Sequence, residues 1–160
     1  ANRTGKAFTG DASGRVLFQT LDRFGLVSWG KSGPEPTNVL ITNAVRCVPP
    51  QNRPTGSEIA TCNQFLKSIL HKRPAPIVVL ALGRVAHDAV LRALGEKQSA
   101  ALFGHNRTHT LSSGQILVDS YHCSRYNMNT GRLTEPMLEA AFRSALDATQ
   151  ARAAVLAPVA

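Results

Sequence analysis

Four side chains in this 160-residue sequence have the chemistry of a hydrolytic site: Phe8, Asp11, Asn43 and His122. A carboxylate such as Asp11 can orient or deprotonate a water molecule and stabilise positive charge, while an imidazole such as His122 can donate to an oxygen on which negative charge collects. The amide of Asn43 carries one donor and one acceptor group, and the ring of Phe8 offers a flat apolar face. Each residue also has a plainer reading. Asp11, two residues before Ser13, suits a helix cap; Phe8 suits a core, Asn43 a turn, and His122 a hydrogen-bonded structural position. Their placement on the secondary structure separates the two sets of readings.

Three short β-branched apolar runs, residues 39–42, 77–82 and 115–119, predict buried parallel strands. Helical patterns lie around them. Residues 13–24 carry Val16, Leu17, Thr20, Leu21 and Phe24 on one side. After Thr55, a capping box with Glu58 precedes Ile59, Cys62, Phe65, Leu66 and Ile69 on one face. Residues 84–94 form a helix stopped by Gly95, and residues 135–156 form another that Thr134 caps. The stretch 32–37, with Pro34 and Pro36, reads as a loop. This alternation predicts a single three-layer α/β/α domain over residues 1–160, with a central parallel sheet and right-handed crossovers. Sites in such sheets form at the carboxyl ends of the strands. Asn43, Gly83 and the run Ser120-Tyr121-His122-Cys123-Ser124-Arg125 fall at those ends, so the polar groups converge on one edge.

Eighteen basic residues, thirteen of them Arg, against ten acidic ones give a net charge of +8 that is spread along the chain rather than gathered in a tail. Arginine holds phosphate in a planar fork, so the bias suits a folded surface that meets a polyanion. No run of about eighteen apolar residues occurs, and the N-terminus lacks the order of a signal peptide, which argues against membrane insertion and export. Cys47, Cys62 and Cys123 are too few and too uneven for a disulfide framework, leaving buried thiols or metal ligands. His71, His87, His105 and His109 match no zinc spacing and read as surface or structural residues, with Gly104-His105-Asn106-Arg107 a candidate border of the site and Gly10 and Gly14 candidates for close backbone approach. Ser13 lacks the Gly-x-Ser-x-Gly elbow, and Gly83 opens a helix without the three-glycine fingerprint, which disfavours a serine hydrolase and a dinucleotide site.

Four segments carry a resemblance: Phe8-Thr9-Gly10-Asp11-Ala12-Ser13-Gly14, Thr42-Asn43-Ala44-Val45-Arg46-Cys47-Val48-Pro49-Pro50, Pro54-Thr55 leading to Cys62, and residues 120–127. In order and spacing they resemble the family-5 (type b) iron–sulfur uracil-DNA glycosylases. Family-4 enzymes are similar around the cysteines but typically have Arg where Asp11 stands and a His-Pro-Ser run as the last motif. The resemblance implies a DNA-repair enzyme that flips out uracil, and other deaminated bases such as hypoxanthine, and hydrolyses the N-glycosidic bond to leave an abasic site. It implies Asp11 and His122 as catalytic groups, Phe8 and Asn43 on the base, and Ser124, Arg125 and Asn127 on the DNA. Cys47 and Cys62 would be two of the four thiolates of a [4Fe-4S] cluster, with Cys123 left out beside His122. In the family a Cys-rich segment and a first strand lie upstream of the residue matching Ala1. The chain is therefore expected to be truncated at its N-terminus, to lack that strand, and to act as a monomer in the cytoplasm of a prokaryote. The competing expectation is a non-catalytic nucleic-acid-binding module or an inactive fragment.

Overall fold

The structure, a computed structural model, describes residues 7–46, 54–72 and 77–156, with side chains up to 152. In chain order the elements are α1 (Ala12–Arg23), β1 (Val27–Gly30), β2 (Gly33–Pro36), α2 (Gly56–His71), β3 (Val78–Leu82), α3 (Arg84–Leu94), β4 (Thr108–Thr110), β5 (Ile116–Ser120), α4 (Arg125–Asn129) and α5 (Glu135–Leu156).

The main sheet has the order β3-β5-β4, with β3 and β5 parallel from Val78↔Ile116 to Leu82↔Ser120. The short strand β4 pairs antiparallel on the other side of β5, so the sheet is mixed at that edge. Side chains alternate across a strand, and this divides the apolar residues between two cores. Ala81, Val79 and Leu117 join Leu66 and Leu70 of α2 and Ala89 and Val90 of α3. Leu80 and Leu82 join Leu17, Phe18 and Leu21 of α1 and Leu138 and Phe142 of α5. The three expected layers are therefore present. Burying each such leucine stabilises the fold by about 1.5–3 kcal/mol, and Leu117 and Leu138 are fully buried.

Polar contacts cap and link the helices. Thr55 and Glu58 form the predicted reciprocal cap of α2. Along the same helix, the buried Asn63 amide donates to the Ala89 carbonyl of α3 at 2.7 Å. Arg23, in the last turn of α1, bonds Glu135 at 2.8 Å and Glu139, both on α5. These groups are largely exposed, so they orient the two helices more than they stabilise them. Gly95 ends α3 in the left-handed conformation, as its position predicts.

Two expectations fail. Residues 39–42 form no strand: Val39 and Ile41 pack on the second core and Ala44 on the first, but no described residue pairs with them in a ladder. An apolar run becomes a strand only where a neighbouring backbone completes its hydrogen bonds. Conversely, the stretch read as a loop contains β2, which pairs antiparallel with β1 from Val27↔Pro36 to Gly30↔Gly33. Among the described residues this ribbon has only two strands, so each strand has one side outside the β1–β2 ladder, which accommodates the missing N–H groups of Pro34 and Pro36.

Candidate active site

The loop before α1 folds back onto the first turn of that helix. Phe8 takes a left-handed φ of 56°, uncommon for a residue with a side chain. Its carbonyl occupies space that only glycine leaves open, since a Cβ on Gly14 would lie 1.7 Å from the Phe8 oxygen. Asp11 caps α1, with Oδ1 accepting from the Gly14 N–H at 2.7 Å. The plainer reading of Asp11 is thus realised, yet it uses only one oxygen. No described residue bonds the other, and Asp11 is exposed.

His122 lies two residues beyond the end of β5, and the Phe8 ring stacks on it with centroids 5.9 Å apart. Gly83, directly after β3, donates its N–H to the Ser120 carbonyl at 2.7 Å. A Cβ at Gly83 would stand 3.1 Å from that of His122, and its φ of +93° also favours glycine. The histidine thus packs against both Phe8 and Gly83. Its carbonyl accepts from the Asn127 amide at 2.8 Å, and the Asn127 N–H donates to Ser124, the cap of α4, at 3.3 Å. One residue earlier, the Tyr121 N–H donates to His105 Nδ1 at 3.2 Å, and those two rings stack at 5.1 Å.

Burial is the larger influence on His122 and lowers its pKa; the Asp11 carboxylate raises it, only partly in compensation. The imidazole is therefore neutral at pH 7 and within electrostatic reach of Asp11. Cys123 is fully buried, its thiol points at the Ser13 carbonyl 3.5 Å away, and burial pushes its pKa up to about 11. A nucleophilic thiolate does not form there near neutrality. Iodoacetamide applied to the native protein at neutral pH should leave Cys123 unmodified by mass spectrometry and label it only after denaturation. Labelling of the native protein would contradict this burial.

The structure thus assembles Phe8, Asp11 and His122. Asn43, between Thr42 and Ala44 in the chain, is half-buried, and its amide hydrogen-bonds to no described residue. Ser124 and Asn127 shape the turn that carries His122, whereas Arg125 and its neighbour Tyr126 are exposed. Arg15, Arg84 and Arg125, all exposed, sit in the first turns of α1, α3 and α4. Cys47 lies outside the described residues. Cys62, buried on α2, accepts the Arg46 N–H at 3.4 Å. A cleft of about 360 Å³ between Ala7, Thr9, Phe18, the β2 strand and Ile41 adjoins the Phe8 loop but is lined by none of Asp11, Asn43 and His122. Gly14 makes the close backbone approach expected of it, and His105, in the stretch expected to border the site, supports Tyr121. Sequence reasoning misses the packing of Gly83 on His122, although Gly83 has a positional signal between a strand and a helix.

The profile of the Uracil DNA glycosylase superfamily matches residues 1–146. The type-5 uracil-DNA glycosylase of Thermus thermophilus is 43% identical over 141 residues, covering 86% of this chain and 64% of that protein. The type-5 uracil-DNA glycosylase of Pyrobaculum aerophilum is 43% identical over 153 residues, covering 92% and 66%. A type-4 uracil-DNA glycosylase of Sulfurisphaera tokodaii is 27% identical over 140 residues, covering 84% and 60%. The chain spans just under two thirds of the length of the type-5 relatives. Among the described residues, no helix is long and apolar enough to cross a membrane.

Proposed function

The chain belongs to the uracil-DNA glycosylase superfamily, and from that membership we propose that it is the catalytic part of a type-5 enzyme that excises uracil from DNA. The observation that carries the reading is the assembly of Phe8 on His122 with Asp11 in electrostatic reach. The target nucleotide leaves the duplex and its base stacks against Phe8. The Asn43 amide, unengaged among the described residues, pairs with the N3–H and O4 of uracil. Cytosine presents the reversed pattern and is refused.

As the N-glycosidic bond lengthens, negative charge collects on the base and positive charge on the sugar. Neutral His122 donates a hydrogen bond to the base carbonyl oxygen. The unbonded oxygen of Asp11 stabilises the sugar cation and takes a proton from the water that attacks C1′, leaving free uracil and an abasic site. Arg15, Arg84 and Arg125 meet the phosphates, with Ser124 and Asn127 holding the turn that carries Arg125, and Tyr126 fills the vacated stack. Hypoxanthine is the next substrate to test, and the protein works as a monomer in the prokaryotic cytoplasm.

Because burial holds His122 below the ordinary value of 6.5, it gains a proton only on the acid side of that value. Single-turnover uracil release should show no His122-dependent inflection between pH 6.5 and the mildly alkaline range. The inflection should fall below 6.5 and vanish in His122→Ala. A wild-type inflection above that value, absent from the variant, would contradict a neutral donor.

In this reading Cys47 and Cys62 would supply two of the four thiolates of a [4Fe-4S] cluster. The supporting contact is the Arg46 N–H on Cys62 Sγ, which brings the chain to that sulfur at the residue before Cys47 and is the kind of bond that tunes cluster thiolates. Cys123, buried beside His122, is not among the ligands. Bound there, the cluster would tie the segment after Arg46 to α2.

The deciding assay is release of free uracil from a uracil-containing oligonucleotide. Release by the wild type, slowed by about 100-fold or more but still measurable in both Asp11→Asn and His122→Ala, is the expected result. Binding of the oligonucleotide without release by the wild type would leave a non-catalytic DNA-binding module as the reading.

A further inference from the structure

Every residue of β5 is buried, and one of them is a carboxylate, Asp119, with no exposed surface. Such a group is destabilising by several kcal/mol unless it is compensated. Its Oδ1 lies 2.8 Å from His87 Nδ1 on α3, and its Oδ2 lies 3.1 Å from His109 Nε2 on β4 and 3.4 Å from the Gly104 N–H. His87 is equally buried, and its other ring nitrogen, Nε2, is 3.0 Å from the carbonyl of Ala101. A carbonyl only accepts, so Nε2 carries a proton. In a neutral ring the lone pair of Nδ1 then faces a carboxylate oxygen. Two lone pairs at that separation need either a proton or a metal ion to bridge them.

We propose that His87, His109 and Asp119 form a site for one divalent transition-metal ion, with zinc the best match. Two imidazole nitrogens and one carboxylate oxygen within 4.8 Å of one another are a donor set that zinc takes, leaving a fourth position for water. The bond from His87 Nε2 to Ala101 is the outer-shell contact that fixes the tautomer of a ligating histidine. His109, partly exposed on the edge strand β4, provides the way in. On entry the ion displaces to solvent the proton that bridges His87 and Asp119, and His109 carries its proton on Nδ1 so that the Nε2 lone pair can ligate. The three ligands come from α3, β4 and β5, so the ion ties the mixed edge of the sheet to the helix above it. The site uses neither Asp11 nor His122.

The test is titration of the chelator-dialysed protein with zinc sulfate, read by competition with a chromophoric chelator and by X-ray absorption at the zinc edge. The expected result is one zinc per chain, with nitrogen and oxygen donors at about 2.0–2.2 Å and no sulfur. His109→Ala, which leaves the buried His87–Asp119 contact intact, and Asp119→Asn should each weaken binding at least ~10-fold. Zinc should also raise the melting temperature of the wild type, a readout that needs no variant. Sulfur donors near 2.3 Å would move the ion to the cysteines and overturn the proposal. So would undiminished affinity in His109→Ala, and so would failure of the wild type to bind zinc, which would leave a network held by a proton alone.

Discussion

Asp11→Asn is expected to slow uracil release by about 10²–10⁴-fold, the range associated with a positioned general base, while leaving the melting temperature nearly unchanged. The two effects separate because Asp11 has two tasks on two atoms. Oδ1 caps α1 through the Gly14 N–H, and asparagine caps a helix as well as aspartate does. The negative charge, by contrast, disappears in the amide. Asp11→Ala removes both and should lose a further ~1 kcal/mol of stability with the cap. Single-turnover release and thermal melting of the two variants side by side make the comparison. An asparagine variant that releases uracil at the wild-type rate would reduce Asp11 to a cap.

Gly14→Ala sets two rules against each other. Alanine in a helix is favoured over glycine by about 1 kcal/mol, so propensity alone predicts a more stable protein. The added Cβ would lie 1.7 Å from the Phe8 carbonyl oxygen, a backbone atom that cannot rotate away. Either the first turn of α1 or the Phe8 loop must move. Overpacking of this kind is destabilising by about 1–3 kcal/mol or more, which outweighs propensity. The displaced loop carries the ring that stacks on His122, and a misplacement of about 1 Å in a site can lower a rate ~100-fold. Denaturant melting and uracil release should therefore fall together. A variant as stable and active as the wild type would mean that the loop is not held where the structure puts it.

The helices were legible because each is written in local rules. The box of Thr55 and Glu58, Gly95 past the end of α3 and the apolar side of α1 are all signals within one or two turns. Strands are less local. Residues 39–42 have the composition of β3 but no described ladder partner, and the prolines of β2 conceal a strand that a two-stranded ribbon tolerates. Asp11 and His122 could be picked out because they follow or precede punctuated elements, and Phe8 because it shares the Asp11 loop. The His87–Asp119–His109 group could not, because its members lie 10 to 32 positions apart and meet only when β5 is inserted between β3 and β4. A hint was present in Asp119 itself, a charge at the end of an apolar run that is read as a buried strand.

The cap on α1 has a consequence for the timing of order in the site. A free aspartate side chain samples several rotamers, and fixing one when substrate arrives would subtract roughly 1 kcal/mol from binding. Here the rotamer is selected when α1 forms, by the bond from the Gly14 N–H to Oδ1. The carboxylate is preorganised before any DNA is met, and its two oxygens are no longer interchangeable. Glutamate, one methylene longer, would lose both the cap and that selection, so a change that conserves charge at this position would not conserve entropy.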